Sequence, residues 1–147
     1  MTTSIARSLA VAAALMAGGA LAGCGGDKPS AAEYRTAVNA ICTVGNERID
    51  ALFSNSPLGP DATDPQLVEM LNQILGEIGR QIDDIDALDA PGSLVDGVDA
   101  WLAESRATAT EVRAAGPAFF EQQASGVNPF AAVNAEAVEL GFDACGG

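Results

Sequence analysis

The chain has 147 residues and a formal net charge of −13, with 20 acidic residues, 7 basic residues and no histidine. A protein of that charge repels the phosphates of nucleic acids, so we expect no nucleic-acid partner. The absence of histidine excludes Ser-His-Asp and Cys-His catalysis, as well as histidine-bound zinc and iron sites.

The first 23 residues have the parts of a secretory signal peptide. Arg7 precedes an apolar run of about 14 residues, whereas a transmembrane helix needs about 20. The run ends in Leu21-Ala22-Gly23-Cys24, which resembles the lipobox of bacterial lipoproteins. The resemblance implies a diacylglyceryl group on the Cys24 sulfur, cleavage before Cys24, and acylation of the new N-terminus with a chain such as palmitate. The alternative is an ordinary signal peptide followed by a chance cysteine.

This leader defines the domain organisation and the expected location. The chain divides into a signal peptide (1–23), a lipid-anchored tether (24–29) and one folded domain (30–147). Acyl chains contribute about 0.8 kcal/mol per buried methylene, so two or three of them hold a domain on a bilayer. We therefore expect the protein at the extracytoplasmic face of the cell membrane, bound through the lipid on Cys24.

Two cysteines remain once Cys24 is assigned to the lipid. In an exported, oxidising setting, Cys42 and Cys145 predict one disulfide, and two free thiols are the alternative. The bond would close a loop of about 100 residues and stabilise the domain by about 4–5 kcal/mol in the chain-entropy model.

Four segments have the apolar spacing of amphipathic helices, and none alternates as a half-buried strand does. The first begins after the capping box of Ser30 and Glu33, and the second begins with Asp64 as N-cap before Pro65. The predicted helices cover about 31–53, 64–88, 93–115 and 129–140. One or two further turns after Gly116-Pro117 form either a separate element or a kinked extension of the third helix. We predict an all-α fold, an antiparallel four-helix bundle stapled by one disulfide, with the C-terminal tail along the first helix.

The densest charged stretch contains Asp83, Asp84, Asp86 and Asp89. These carboxylates could bind calcium, but they lack the spacing of a calcium-binding loop, so a solvated helix end is the preferred interpretation. A carboxylate pair for sugar hydrolysis lacks aromatic platforms, since the chain has one Trp and one Tyr. We assign no catalytic residue, no metal ligand and no cofactor, and expect no enzymatic activity.

Four aromatic side chains, Trp101, Phe119, Phe120 and Phe130, are candidates for lining an apolar cavity between helices. Their commoner role is to pack as core. The Phe119-Phe120 pair lies between two helix breakers and is the best candidate for a mobile lid.

Short motifs add a second resemblance. The tyrosine-led first helix with Asn39-Ala40-Ile41-Cys42, and the closing Leu140-Gly141-Phe142-Asp143-Ala144-Cys145, are similar to those of small all-helical secreted or lipid-anchored proteins of actinobacteria. The resemblance implies the disulfide and the helical fold but no activity. We therefore expect a non-catalytic binding or accessory protein of the cell envelope that docks an unknown partner protein. The alternative is a carrier of a small apolar, lipid-like ligand.

Overall fold

The computed structural model describes residues 28–55, 58–59 and 62–147. The predicted signal peptide, the predicted lipidation site Cys24 and most of the tether lie outside the described residues. The described residues form five α-helices, a final 3₁₀ turn and no strand: α1 (Ala31–Asn55), α2 (Asp64–Asp86), α3 (Val95–Ala115), α4 (Ala118–Ala124), α5 (Ala131–Glu139) and the turn Asp143–Cys145. None of these helices is long and apolar enough to span a membrane.

The all-α class is confirmed, but the structure has one helix more than predicted. Gly116 ends α3 with a backbone φ of 58°, a value that favours glycine, and Pro117 follows it. The chain then resumes as the short helix α4. The two breakers therefore produce a separate element rather than a kinked extension of α3.

Capping boxes define the starts of the two longest helices. At α1 the Ser30 amide donates to Glu33 Oε2 at 2.9 Å and the Glu33 amide donates to Ser30 Oγ at 3.3 Å, as predicted. At α2 the N-cap is Thr63, whose amide donates to Gln66 Oε1 at 2.9 Å. The predicted cap, Asp64, is one residue late because the sequence before Pro65 satisfies two cap patterns at once, and the Thr-x-x-Gln box prevails.

Helices α1, α2 and α3 pack as successive neighbours, and α5 packs against α3. Arg48 on α1 lies 3.7 Å from Glu77 on α2, and Arg106 on α3 lies 2.8 Å from Asp86 at the end of α2. These ion pairs join helices that run in opposite directions along the bundle.

The buried side chains form two clusters rather than one continuous core. The larger cluster contains residues of α1, α2, α3, α5 and the tail: Tyr34, Val38, Cys42, Ile82, Ile85, Leu94, Val98, Trp101, Leu102, Val133, Ala137 and Phe142. The smaller cluster lies at the other end of α2 and α3: Leu71, Leu75, Ala109, Val112 and Phe119. Ile78, which is half-buried on α2, packs against both clusters and marks their boundary.

The C-terminal tail runs back along α1, as predicted. Gly141 turns the chain with a φ of 83° after α5, and its carbonyl accepts a hydrogen bond from Asn39 Nδ2 at 3.1 Å. Asn39 Oδ1 in turn accepts from the Ala144 amide at 2.8 Å. The predicted disulfide between Cys42 and Cys145 is present and fixes the tail to the buried face of α1.

Candidate ligand-binding cavity

A cavity of about 240 Å³ lies where the two core clusters meet. All five helices and the C-terminal tail contribute to its wall. Its apolar lining consists of Ile49, Phe53, Ile74, Ile78, Ile82, Ile85, Trp101, Phe119, Phe130 and Val133. Because a cavity of about 150 Å³ holds one benzene ring, this volume corresponds to about ten non-hydrogen atoms.

The cavity brings together three of the four aromatic side chains proposed from the sequence. Trp101 is 4% exposed and Phe119 is 5% exposed, so each belongs to the core and also lines the cavity. Phe130 is half-buried at the start of α5 and lines it as well. Phe120 does not: its ring packs edge-on against Phe119, with centroids 5.2 Å apart, beside the smaller cluster. Core packing and cavity lining are therefore compatible roles here.

The polar part of the lining carries no formal charge on any side chain. Its members are amides and one hydroxyl: Asn46, Gln81, Ser105, Gln123, Asn128 and Asn134. Within the described part of a chain that contains 20 acidic residues, no Asp, Glu, Lys or Arg side chain lines the cavity. The site is thus apolar with neutral hydrogen-bonding groups.

These polar groups differ in whether the protein already satisfies them. Asn46 Nδ2 donates to the Ala144 carbonyl at 2.8 Å, and Ser105 Oγ donates to the Trp101 carbonyl at 2.7 Å. Asn128 Oδ1 accepts from the Phe130 amide at 3.0 Å. Three side-chain amides form no hydrogen bond with any described residue: Gln81, Gln123 and Asn134. Their donors and acceptors are available to a bound molecule.

Gln81 occupies a notch that a glycine creates in α1. Gly45 is buried, and a Cβ atom at this position would lie 2.1 Å from the Gln81 side-chain amide carbon. Neither residue is singled out by apolar spacing alone. A signal nevertheless exists, because Gly45 continues the stripe from Cys42 to Ile49, where glycine costs about 1 kcal/mol relative to alanine. A glycine on the buried face of a long helix indicates a close approach by a neighbouring side chain.

The exposed residues of the lining indicate where the cavity opens. Phe53 is 50% exposed, and Gln123 and Asn128 are also exposed. At the opposite end of the bundle, Lys28 Nζ donates to the Ala90 carbonyl in the α2–α3 loop at 3.1 Å. Phe53 lies about 33 Å along the axis of α1 from the start of that helix, at 1.5 Å per residue. The mouth therefore lies far from the end where the tether joins the domain.

A larger groove, of about 480 Å³, lies between the end of α1 and the start of α2. Leu52 and Met70 contribute apolar surface, but Glu69 adds a carboxylate, and no aromatic ring belongs to the groove wall among the described residues. Two helices and their connection form this groove, whereas five helices surround the smaller cavity. The smaller cavity is the more complete binding site.

The acidic stretch at 83–89 is partly neutralised by α3. Arg106 lies 2.8 Å from an Asp86 oxygen and 3.7 Å from an Asp83 oxygen, and Asp83 and Asp86 share a face of α2, as predicted. Across the described ranges, no group of three metal-ligating side chains is close enough to hold an ion. The arrangement is that of an ion pair between helices.

One buried polar atom lacks a partner among the described residues, the hydroxyl of Tyr34. Its ring lies 6.1 Å from that of Phe142 in the larger cluster, away from the cavity. Burial raises the pKa of the Tyr34 hydroxyl, and the nearby carboxylates of Asp86 and Asp99 raise it further. This residue affects stability rather than the candidate site.

No protein-family model, no curated protein and no solved structure matches this chain. The lipobox and the resemblance to small actinobacterial proteins therefore stay predictions from the sequence. The functional argument rests on the cavity.

Proposed function

We propose that this protein is a lipid-anchored binding protein of the cell envelope, which holds a small, mainly apolar molecule in the interhelical cavity without catalysing a reaction. The observation that carries the proposal is the cavity of about 240 Å³ with its lining of apolar and uncharged polar side chains. Of the two functions that the sequence leaves open, carrying a ligand and docking a partner protein, this cavity favours the first.

The chemistry of the wall supports binding rather than catalysis. General acid–base or nucleophilic chemistry needs an ionisable or activated group beside the substrate. The cavity wall, in the part of the chain that the structure describes, contains only amides, one hydroxyl and apolar groups besides the disulfide. The Ser105 hydroxyl already donates to a backbone carbonyl, so it lacks a general base.

The size of the cavity gives the expected affinity. At about 0.5 kcal/mol per non-hydrogen atom, which lies within the range for small ligands, about ten atoms contribute about 5 kcal/mol. This free energy corresponds to a dissociation constant of the order of 0.1 mM. A ligand that extends beyond the mouth would gain further contacts with Phe53.

Attachment through Cys24 would orient the cavity relative to the membrane. Four residues separate Cys24 from Lys28, and a fully extended chain of that length spans at most about 14 Å. The α2–α3 end of the bundle would therefore face the membrane, and the mouth would face away from it. The ligand would then enter from the envelope space rather than directly from the anchoring bilayer.

The proposal is tested by analysing what the protein carries. The mature chain with Cys24→Ser, purified from its native host without detergent, is extracted with organic solvent and examined by mass spectrometry. We expect one small molecule in stoichiometric amount. The replacement of Cys24 prevents the anchoring lipid from being counted as a ligand.

Two matched variants assign the molecule to the cavity. Ser105→Leu places a larger side chain into the cavity and should abolish binding. Thr108→Leu enlarges another buried position of α3 that does not line the cavity, and should retain the molecule. Equal retention by both variants, or a protein free of any small molecule, would contradict the proposal.

Docking of a partner protein remains the second candidate. The large apolar side chains that are exposed, Val44, Phe53, Val68, Val127 and Val138, lie on α1, α2, the α4–α5 loop and α5. Single exposed apolar residues are ordinary on protein surfaces, so they favour no particular partner. Crosslinking on intact cells that captures one protein stoichiometrically, with no small molecule in the extract, would favour this function.

A further inference from the structure

We infer that the molecule in the cavity is a neutral amphiphile, with an apolar body in the cavity and an uncharged hydrogen-bonding group that pairs with the side chain of Gln81. This inference rests on the proposed function and adds to it the chemical class of the ligand. Alcohols and carboxamides with an apolar part of about ten non-hydrogen atoms belong to this class.

Electrostatics disfavours a charged ligand of either sign. An ion that leaves water for an apolar site loses its hydration, and only an opposite charge or several hydrogen bonds offset that loss. No described side chain of the wall supplies an opposite charge. The net charge of −13 also repels anions at long range. It attracts cations, but the attraction ends at the surface, where the carboxylates are.

Hydrogen bonding disfavours a pure hydrocarbon. The amide of Gln81 has two donors and one acceptor, and no described residue pairs with them. If a hydrocarbon displaced the water around this amide, its polar atoms would lose their hydrogen bonds without replacement. An alcohol or a carboxamide both donates and accepts, so it restores them.

Gln81 is better placed for this role than the other two unpaired amides. Gln123 is exposed and belongs to the mouth, whereas Gln81 is half-buried. The notch at Gly45 seats its side chain between α1 and α2, beside the apolar wall formed by Ile78 and Ile82. A side chain held in this way pays less conformational entropy when it binds a ligand.

The volume narrows the ligand further. About 240 Å³ encloses about ten non-hydrogen atoms by comparison with the benzene-sized cavity, so a whole long-chain lipid does not fit inside. The lipid-like ligand expected from the sequence is therefore reduced to a short chain or a small ring system.

A series of eight-carbon probes separates these classes. We would titrate 1-octanol, octanoate and octylammonium at pH 7 into the mature chain with Cys24→Ser. Trp101 is the only tryptophan and lines the cavity, so its fluorescence reports occupancy. We expect 1-octanol to bind at least tenfold more tightly than either ion. Octanoate or octylammonium binding as tightly as octanol would overturn the inference and leave the proposed function intact.

Variants of Gln81 test the hydrogen bond. Gln81→Leu should weaken 1-octanol binding about tenfold, and Gln81→Glu should shift the preference to octylammonium. Gln73→Leu is the matched control, since Gln73 lies on the same helix and lines the larger groove instead. It should leave all affinities unchanged, whereas equal octanol binding by the Gln81→Leu variant would overturn the inference. If no probe binds and the native extract is also empty, the proposed function fails together with it.

Discussion

Removing the disulfide should cost the domain most of its stability. The bond joins residues 103 positions apart, Cys42 on α1 and Cys145 in the tail. For a loop of about this length, the chain-entropy model gives a loss of about 4.7 kcal/mol at 25 °C. The free energy of unfolding of a small domain is about 5–15 kcal/mol. Changing both cysteines to alanine should therefore leave the protein marginally folded.

Urea unfolding, followed by Trp101 fluorescence and by far-ultraviolet circular dichroism, measures this loss. Three samples are compared: the oxidised protein, the same protein reduced by a phosphine, and the double alanine variant. The reduced protein is the control for side-chain loss, because it keeps both sulfur atoms. It should lose nearly as much stability as the double variant if the constraint on the unfolded chain dominates.

The tail has a second attachment that could replace the disulfide. Asn39 and Asn46 hold it through hydrogen bonds to Gly141 and Ala144. Each such bond contributes about 1 kcal/mol, so together they should not substitute for the covalent link. A decrease of less than 1 kcal/mol in both the reduced protein and the double variant would refute this reasoning.

Three further changes have distinct expected outcomes. Tyr34→Phe removes a buried hydroxyl without a partner and should raise the free energy of unfolding by about 1 kcal/mol. The raised pKa of Tyr34 means that its contribution is present below about pH 10 and is lost at higher pH, so the variant should lose less stability in alkali, as measured by urea titration at several pH values. Gly45→Ala forces the Gln81 side chain out of its notch and should lower stability by about 1–2 kcal/mol, whereas Gly76→Ala, with open space around its added methyl group, should raise it by about 1 kcal/mol; equal thermal melts would show that the notch is not tight. Cys24→Ser should abolish labelling of the protein by radioactive palmitate in cells, and unchanged labelling would refute the lipobox.

Local signals predict most of the fold. The capping box at Ser30, the apolar stripes of the long helices and the glycine at position 141 each involve residues within a few turns of one another. The path of the tail follows from Cys42 and Cys145 alone, because a covalent bond turns two positions into one contact. The fourth helix was left open between two alternatives, since Gly116-Pro117 is compatible with either a kink or a break.

The cavity could not be predicted in the same way, because it depends on how side chains from distant segments meet. The sequence suggested that Trp101, Phe119 and Phe130 share a surface, but it could not separate them from Phe120, their neighbour in the chain. Nor could it show that Gln81 reaches the cavity, since that depends on the close approach of α1 at Gly45.

The small residues of α3 explain why the core is divided. The buried positions in the second half of this helix are Ser105, Thr108 and Ala109, which are too short to fill the space in front of the isoleucines of α2. Ser105→Leu adds apolar groups that bury about 0.8 kcal/mol per methylene, against the loss of one hydrogen bond worth about 1 kcal/mol. We expect this variant to be about 1 kcal/mol more stable and unable to bind 1-octanol. A position where the smaller residue lowers stability but keeps the cavity open is what a binding site requires. If the variant proved less stable than the wild type, the cavity would be a space that the surrounding side chains cannot yield, and this explanation of its origin would be wrong.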